Sequence, residues 1–171
     1  MIRKLLSFSR NAPLEIVSVD LGEAISESIN TLRRLLPAQI EVTLTVAEER
    51  VLVRADAGAV EQILINLVTN ARDALSGGGS LHIEVYPRTL SADEPSGPAV
   101  YGCLAVRDDG AGMDEATRAR IFEPFFTTKP PPLGTGLGMT MIYGLVKQQK
   151  GWIDVVSAPG EGTHVTVSFP G

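Results

Sequence analysis

The apolar residues of this chain switch repeatedly between a helical and a strand period, and that alternation constrains the fold more than any other feature. Leu21, Ile25, Ile29, Leu32, Leu35 and Leu36 share one helical face behind Asp20-Leu-Gly-Glu23, which has the form of a capping box, and Pro37 stops the run. Ile40, Val42, Leu44 and Val46 alternate with polar residues as a half-buried strand does, and 51–54 reads as a shorter strand. A second helix, capped by Asp56, carries Val60, Ile63, Leu64, Leu67, Val68, Ala71 and Leu75 on one stripe and ends at Gly77-Gly-Gly79. Strands are expected at 81–85, 99–107, 152–156 and 163–169, with a third main helix over 137–150 and a short one over 114–121. Three substantial helices and about six strands, one layer of each, make an α/β sandwich.

The remaining segments are irregular. Ile2, Leu5 and Leu6 have helical spacing, but ten residues are too few for a stable isolated helix. They read as the end of a longer element, with 11–19 as a linker to a domain spanning 20–171. The Pro-, Gly- and Ser-rich stretch 87–98 reads as a hairpin loop, and 123–133, with Pro130-Pro-Pro132, as a flap over a site.

At 171 residues and 44% hydrophobic, the chain can bury one sizeable core without staples. A net charge of −5 argues against a nucleic-acid backbone as partner, since such binders carry a basic stripe. The single cysteine, Cys103, can form no internal disulfide and sits in an apolar run; with no run long enough to span a bilayer, a cytoplasmic location is expected.

Function concentrates between 108 and 138. The strand 99–107 runs into Asp108-Asp-Gly-Ala-Gly112, placing a carboxylate at its carboxyl end ahead of two glycines, and Gly134-Thr-Gly-Leu-Gly138 opens a helix. Glycines let a backbone approach a planar base closely, and a helix start offers free N–H groups to phosphate. The pattern is neither a Walker loop nor a dinucleotide fingerprint. Asn66, Asn70 and Asp73 fall at i, i+4 and i+7, on the face opposite the apolar stripe, where their oxygens could reach one ligand or metal.

These segments resemble a known family. Residues 61–74, 108–112, 122–129 and 134–138 are similar, in order, to the N, G1, F and G2 boxes of sensor histidine kinases, in particular nitrogen-regulator-like and hybrid ones. The resemblance covers about 20–170 and implies the catalytic ATP-binding domain shared with DNA gyrase, mismatch-repair and heat-shock chaperone ATPases. It implies the Bergerat fold: a mixed, mainly antiparallel sheet with three main helices on one face. It also implies that Asp108 accepts the adenine amino group, that Gly110 and Gly112 let the backbone pass the base, and that Thr163 supports adenine through water. Asn70 is the implied Mg²⁺ ligand, with Asn66 near the phosphates, Asp73 by ribose or phosphate, and Lys129 offsetting phosphate charge. Met113, Gly134, Thr135, Gly136, Leu137 and Gly138 complete the implied nucleotide site. Phe125 and Phe126 are expected to pack in the lid.

The start of the chain, Leu5-Leu-Ser-Phe-Ser-Arg10, resembles the end of a dimerisation and phosphoacceptor domain. His82 and His164 both lie in expected strands, whereas a phosphoacceptor belongs on an exposed helix. The implied partners are therefore a histidine-bearing dimerisation domain and, downstream, a response-regulator receiver domain, with this chain monomeric by itself. Two other readings remain open: a nucleotide-binding regulatory module that transfers nothing, and an ATP hydrolase. The hydrolase branch uses a glutamate four residues before the metal-binding asparagine, where this chain has Asn66, which cannot accept a proton at neutral pH.

Overall fold

The structure, a computed structural model, describes residues 13–91, 99–128, 136 and 138–171. In chain order the elements are β1 (Val17–Asp20), α1 (Leu21–Arg33), β2 (Ile40–Val46), β3 (Leu52–Ala55), α2 (Ala57–Ala74), β4 (Gly79–Leu90), β5 (Ala99–Asp108), α3 (Glu115–Arg120), α4 (Gly138–Gln148), β6 (Trp152–Ser157) and β7 (Thr163–Pro170). Five strands form one sheet in the order β2-β4-β5-β7-β6, parallel between β2 and β4 and antiparallel elsewhere.

The first three helices start where short acidic side chains can satisfy free N–H groups. Asp20 accepts from the Glu23 N–H, Asp56 from Ala59 and Asp114 from Thr117; the first two caps are worth about 1 kcal/mol each. One core joins the sheet to the helices. Leu81, Ile83 and Val85 of β4, Leu104 and Val106 of β5, and Val165, Val167 and Phe169 of β7 alternate onto the same face and meet Ile25 and Ile29 of α1, Ile63 and Leu64 of α2, and Ile142 and Val146 of α4. Each side chain of this size contributes roughly 1.5–3 kcal/mol on full burial. On the opposite face Cys103 is fully buried, its Sγ 3.3 Å from Ser168 Oγ, and burial pushes its thiol up.

The sheet departs from the expected single layer of six strands. Residues 17–19, read as linker, belong to β1, which pairs antiparallel with β3 in a separate two-stranded sheet, Val19 opposite Val53. Of its four residues only Val19 is buried, so no alternation is visible in the sequence. This small sheet and the segment before it rest on β5 at Gly102, where a Cβ would lie 2.8 Å from Val51 Cγ1 and overlap Val53 Cγ1 outright. β4 also runs on to Leu90, through residues expected in a loop. β2 stops at Val46, opposite Val85, so beyond that point one side of β4 no longer pairs with β2 and tolerates Pro87, which has no N–H to donate. The first helix ends at Arg33, short of Pro37. The helical reading of 1–10, the first two linker residues 11–12, the tip of the loop at 92–98 and the flap residues 129–135 lie outside the described residues.

Candidate nucleotide site

Above the carboxyl end of β5 and the start of α4 the structure forms an open cavity of about 510 Å³. Asn66, Asn70 and Asp73 of α2 form one wall, Asp108 and Thr163 the floor, Gly112 and Met113 a second wall, and Gly136 and Gly138 the opposite end. Nine of the residues singled out in the sequence thus meet in one place. Gly110 stands outside the lining, but its N–H donates to Asp108 Oδ1 at 2.9 Å, holding the carboxylate from behind. Lys129, Gly134, Thr135 and Leu137 lie outside the described residues.

The floor is built by strand register. Asp108, last in β5, pairs with Thr163, first in β7. Asp108 is 6% exposed. Burial lifts its carboxyl above the ordinary aspartate value, against the Gly110 and Thr163 backbone N–H groups that lower it, while Asp109 raises it further. Opposite, the β6–β7 turn closes on the glycine loop: the Gly160 N–H donates to the Ala111 carbonyl at 2.7 Å. Gly112 has φ +68°, and a Cβ there would collide with the Ala158 carbonyl oxygen, so only glycine fits.

The α2 wall divides into a buried and an open part. Asn66 is 7% exposed, and its Nδ2 lies 3.4 Å from Met141 Sδ while its Oδ1 accepts from Gln62 Nε2 at 3.5 Å. Asn70 is half-buried beside Gly138, and its amide makes no hydrogen bond among the described residues. That leaves an oxygen free for an outside ligand. Asp73 pairs with Arg72 at 3.1 Å. Of the two lid phenylalanines, Phe126 lies under the Arg120 guanidinium, 4.3 Å from its ring, and lines the cavity. Phe125, expected to pack, is 70% exposed with φ +64°, its N–H donating to the Gly136 carbonyl at 2.9 Å.

Two supporting residues escaped the sequence reading. Asp109 Oδ1 accepts the Ser80 N–H at 2.8 Å and ties β4 to the end of β5. Ser157 accepts the Met113 N–H at 2.9 Å and bonds to Gly162 and Thr163. The available signals were the second carboxylate of Asp108-Asp109 and a serine directly before the turn 158–162.

A family model described as "Histidine kinase-, DNA gyrase B-, and HSP90-like ATPase" matches residues 55–171. The chain belongs to this family. Within it the chain is an ATP-binding catalytic domain of the sensor histidine kinase type. It is 36% identical over 177 residues to sensor kinase CckA of Brucella abortus, covering 99% of this chain and 18% of that protein. It is 33% identical over 171 residues to sensor histidine kinase ZraS of Klebsiella oxytoca, covering 99% of this chain and 35% of the relative. The solved mycobacterial sensor histidine kinase MprB superposes with a TM-score of 0.72 at 26% identity, over 92% of this chain and 98% of that one. The chain thus spans about a fifth to a third of the length of these curated relatives. The α/β sandwich with a mixed, mainly antiparallel sheet is the fold expected for the family. Among the described residues, no helix is long and apolar enough to cross a membrane.

Proposed function

We propose that this domain holds Mg-ATP with its γ-phosphate open to solvent and donates that phosphoryl group to a histidine on a separate dimerisation domain. The observation that carries the reading is the cavity itself, with a buried carboxylate at one end, the start of α4 at the other and an unengaged Asn70 amide between them. Asp108 takes the adenine amino group, since a carboxylate accepts and does not donate. The first N–H groups of α4 face the phosphates.

The residues fit a magnesium ion in one specific way. No group of three His, Cys, Asp or Glu side chains that could cage a metal occurs among the described residues. Mg²⁺ commonly binds through one or two protein oxygens, phosphates and water, which the free Asn70 oxygen suits. Bound there, it would neutralise phosphate charge.

Support for transfer over hydrolysis comes from Asn66. It occupies the position where the resemblance places the hydrolase base, and its amide is buried and engaged with Met141 and Gln62. Glu61 is exposed. Phosphoryl transfer needs mostly positioning and charge neutralisation from the ATP-holding half, and the receiving side supplies the base. The residues ahead of β1 then join this domain to the dimerisation domain, with the boundary moved from near residue 20 to the start of β1 at Val17, and a response-regulator receiver accepts the phosphoryl group downstream. The domain by itself is a monomer, and it works in the cytoplasm, which supplies ATP and keeps an unpaired thiol reduced.

The test is to mix the chain with the parent kinase's separately produced dimerisation domain and γ-labelled ATP. Acid-labile label on the dimerisation domain, absent when its histidine is replaced, is expected. A chain that binds ATP and labels nothing would refute transfer and favour the regulatory reading.

A further inference from the structure

Ser157 lies behind the floor of the cavity, outside its lining, and its hydroxyl joins three segments that the nucleotide site needs. The Met113 N–H donates to Ser157 Oγ at 2.9 Å. Ser157 Oγ lies 3.0 Å from the Gly162 carbonyl and 2.8 Å from Thr163 Oγ1.

A hydroxyl has one hydrogen and two lone pairs, so the directions of these bonds can be worked out. The Met113 N–H can only donate, and it takes one lone pair. The Gly162 carbonyl can only accept, so a contact at 3.0 Å requires the Ser157 hydrogen. What remains on Ser157 is one lone pair, and the Thr163 contact must be filled by the Thr163 hydrogen. Thr163 is thereby left with acceptor capacity only toward the cavity. Beside it Asp108, with its Gly110 N–H contact behind, is also acceptor-only.

We propose that Ser157 is a specificity-determining positioning residue: by taking the Thr163 hydrogen it makes the floor of the base pocket a pair of acceptors, and so selects a purine edge that bears an amino group over one that bears a carbonyl. This rests on the ATP-binding reading above and extends it to a residue that touches no part of the base. Without Ser157, Thr163 can rotate and donate to a 6-oxo group, and the Met113 loop loses its tie to β6.

The experiment compares the dissociation constants of ATP and of its 6-oxo analogue, inosine 5′-triphosphate, for the wild type, Ser157→Ala and Ser157→Thr, all with Mg²⁺. One hydrogen bond gained or lost in a buried site corresponds to a change of about fivefold to tenfold. Ser157→Ala is expected to lower the preference for ATP over the inosine nucleotide by that factor, and Ser157→Thr, which keeps the hydroxyl on a strand-favouring side chain, to restore it. If Ser157→Ala weakens both nucleotides equally and leaves the ratio unmoved, Ser157 is structural and the proposal is overturned. Should Ser157→Ala not fold, Ser157→Cys, whose thiol is a weak hydrogen-bonding group, is read on the same ratio with the same two outcomes. A wild type that binds neither nucleotide would instead overturn the ATP-binding reading, so the two failures are distinguishable.

Discussion

Replacing Asp108 with Asn tests base recognition with almost no change in shape. Asp108 is 6% exposed, and one of its oxygens accepts the Gly110 N–H at 2.9 Å. Asn can keep that bond with its single carbonyl oxygen, which then turns an NH₂ group toward the adenine amino group. The variant loses a charge-assisted hydrogen bond worth roughly 1.5–3 kcal/mol and gains two donors facing each other, a further 1–3 kcal/mol where both are buried. The expected total is about 3 kcal/mol or more, at least about 100-fold in Kd. Calorimetric titration with Mg-ATP at neutral pH reads it, with a melting curve on each sample to show that the fold is kept. The pH dependence gives a second handle. Burial raises the Asp108 carboxyl, so the free domain takes up this proton at a higher pH than an exposed aspartate would. Affinity should rise with pH through that raised value and level off above it, and the variant should lack the step once the titration of ATP itself is removed by taking the ratio. An Asp108→Asn affinity within threefold of wild type, or an identical pH profile, would refute the assignment of Asp108 to the base.

Three further perturbations have defined outcomes. Asp20→Ala removes the α1 cap at Glu23 and the 2.9 Å pair with Arg50 and should cost about 1 kcal/mol, a few degrees in Tm, at neutral pH. The Arg50 hydrogen bond and the Glu23 N–H hold the Asp20 carboxyl below its ordinary value, so its contribution is full above the unfolded-state pKa and is lost as pH falls through the lower folded-state one; the two melting curves should converge on acidification. Gly102→Ala drives a methyl into Val51 and Val53 and should destabilise by about 1–3 kcal/mol in urea titrations, while an unchanged midpoint would show that the small sheet does not pack on β5 as described. Asn70→Ala should remove most of the Mg²⁺ dependence of ATP affinity, and an unaltered magnesium titration would place the ion elsewhere.

The long periodic elements were legible in the sequence because each buries one face against the same core. The stripe Val60, Ile63, Leu64, Leu67 of α2 and the alternation Leu81, Ile83, Val85 of β4 fix their own orientation. β1 was not legible, since four residues with one buried valine carry no period and its pairing with β3 is a long-range choice. β4 beyond Val85 was hidden by Pro87, which reads as a breaker until the end of β2 at Val46 is known. At the site, Asp108, Asn70 and Gly112 stood out because strand ends, helix faces and glycine spacing are local patterns. Ser157 did not, because its role depends on Met113, 44 residues away in sequence, arriving within 2.9 Å. The burial of Asn66 against Met141 is likewise a property of the α2–α4 packing and not of either helix alone.

The central claim is that this chain holds ATP for a histidine elsewhere and does not consume it. The most direct measurement is to incubate the purified chain with Mg-ATP, recording binding by calorimetry and released phosphate over hours in the same sample. Saturable binding with ATP left intact is the expected result. Brisk phosphate release would contradict it, showing that water is activated despite Asn66 and that the chain is an ATP hydrolase.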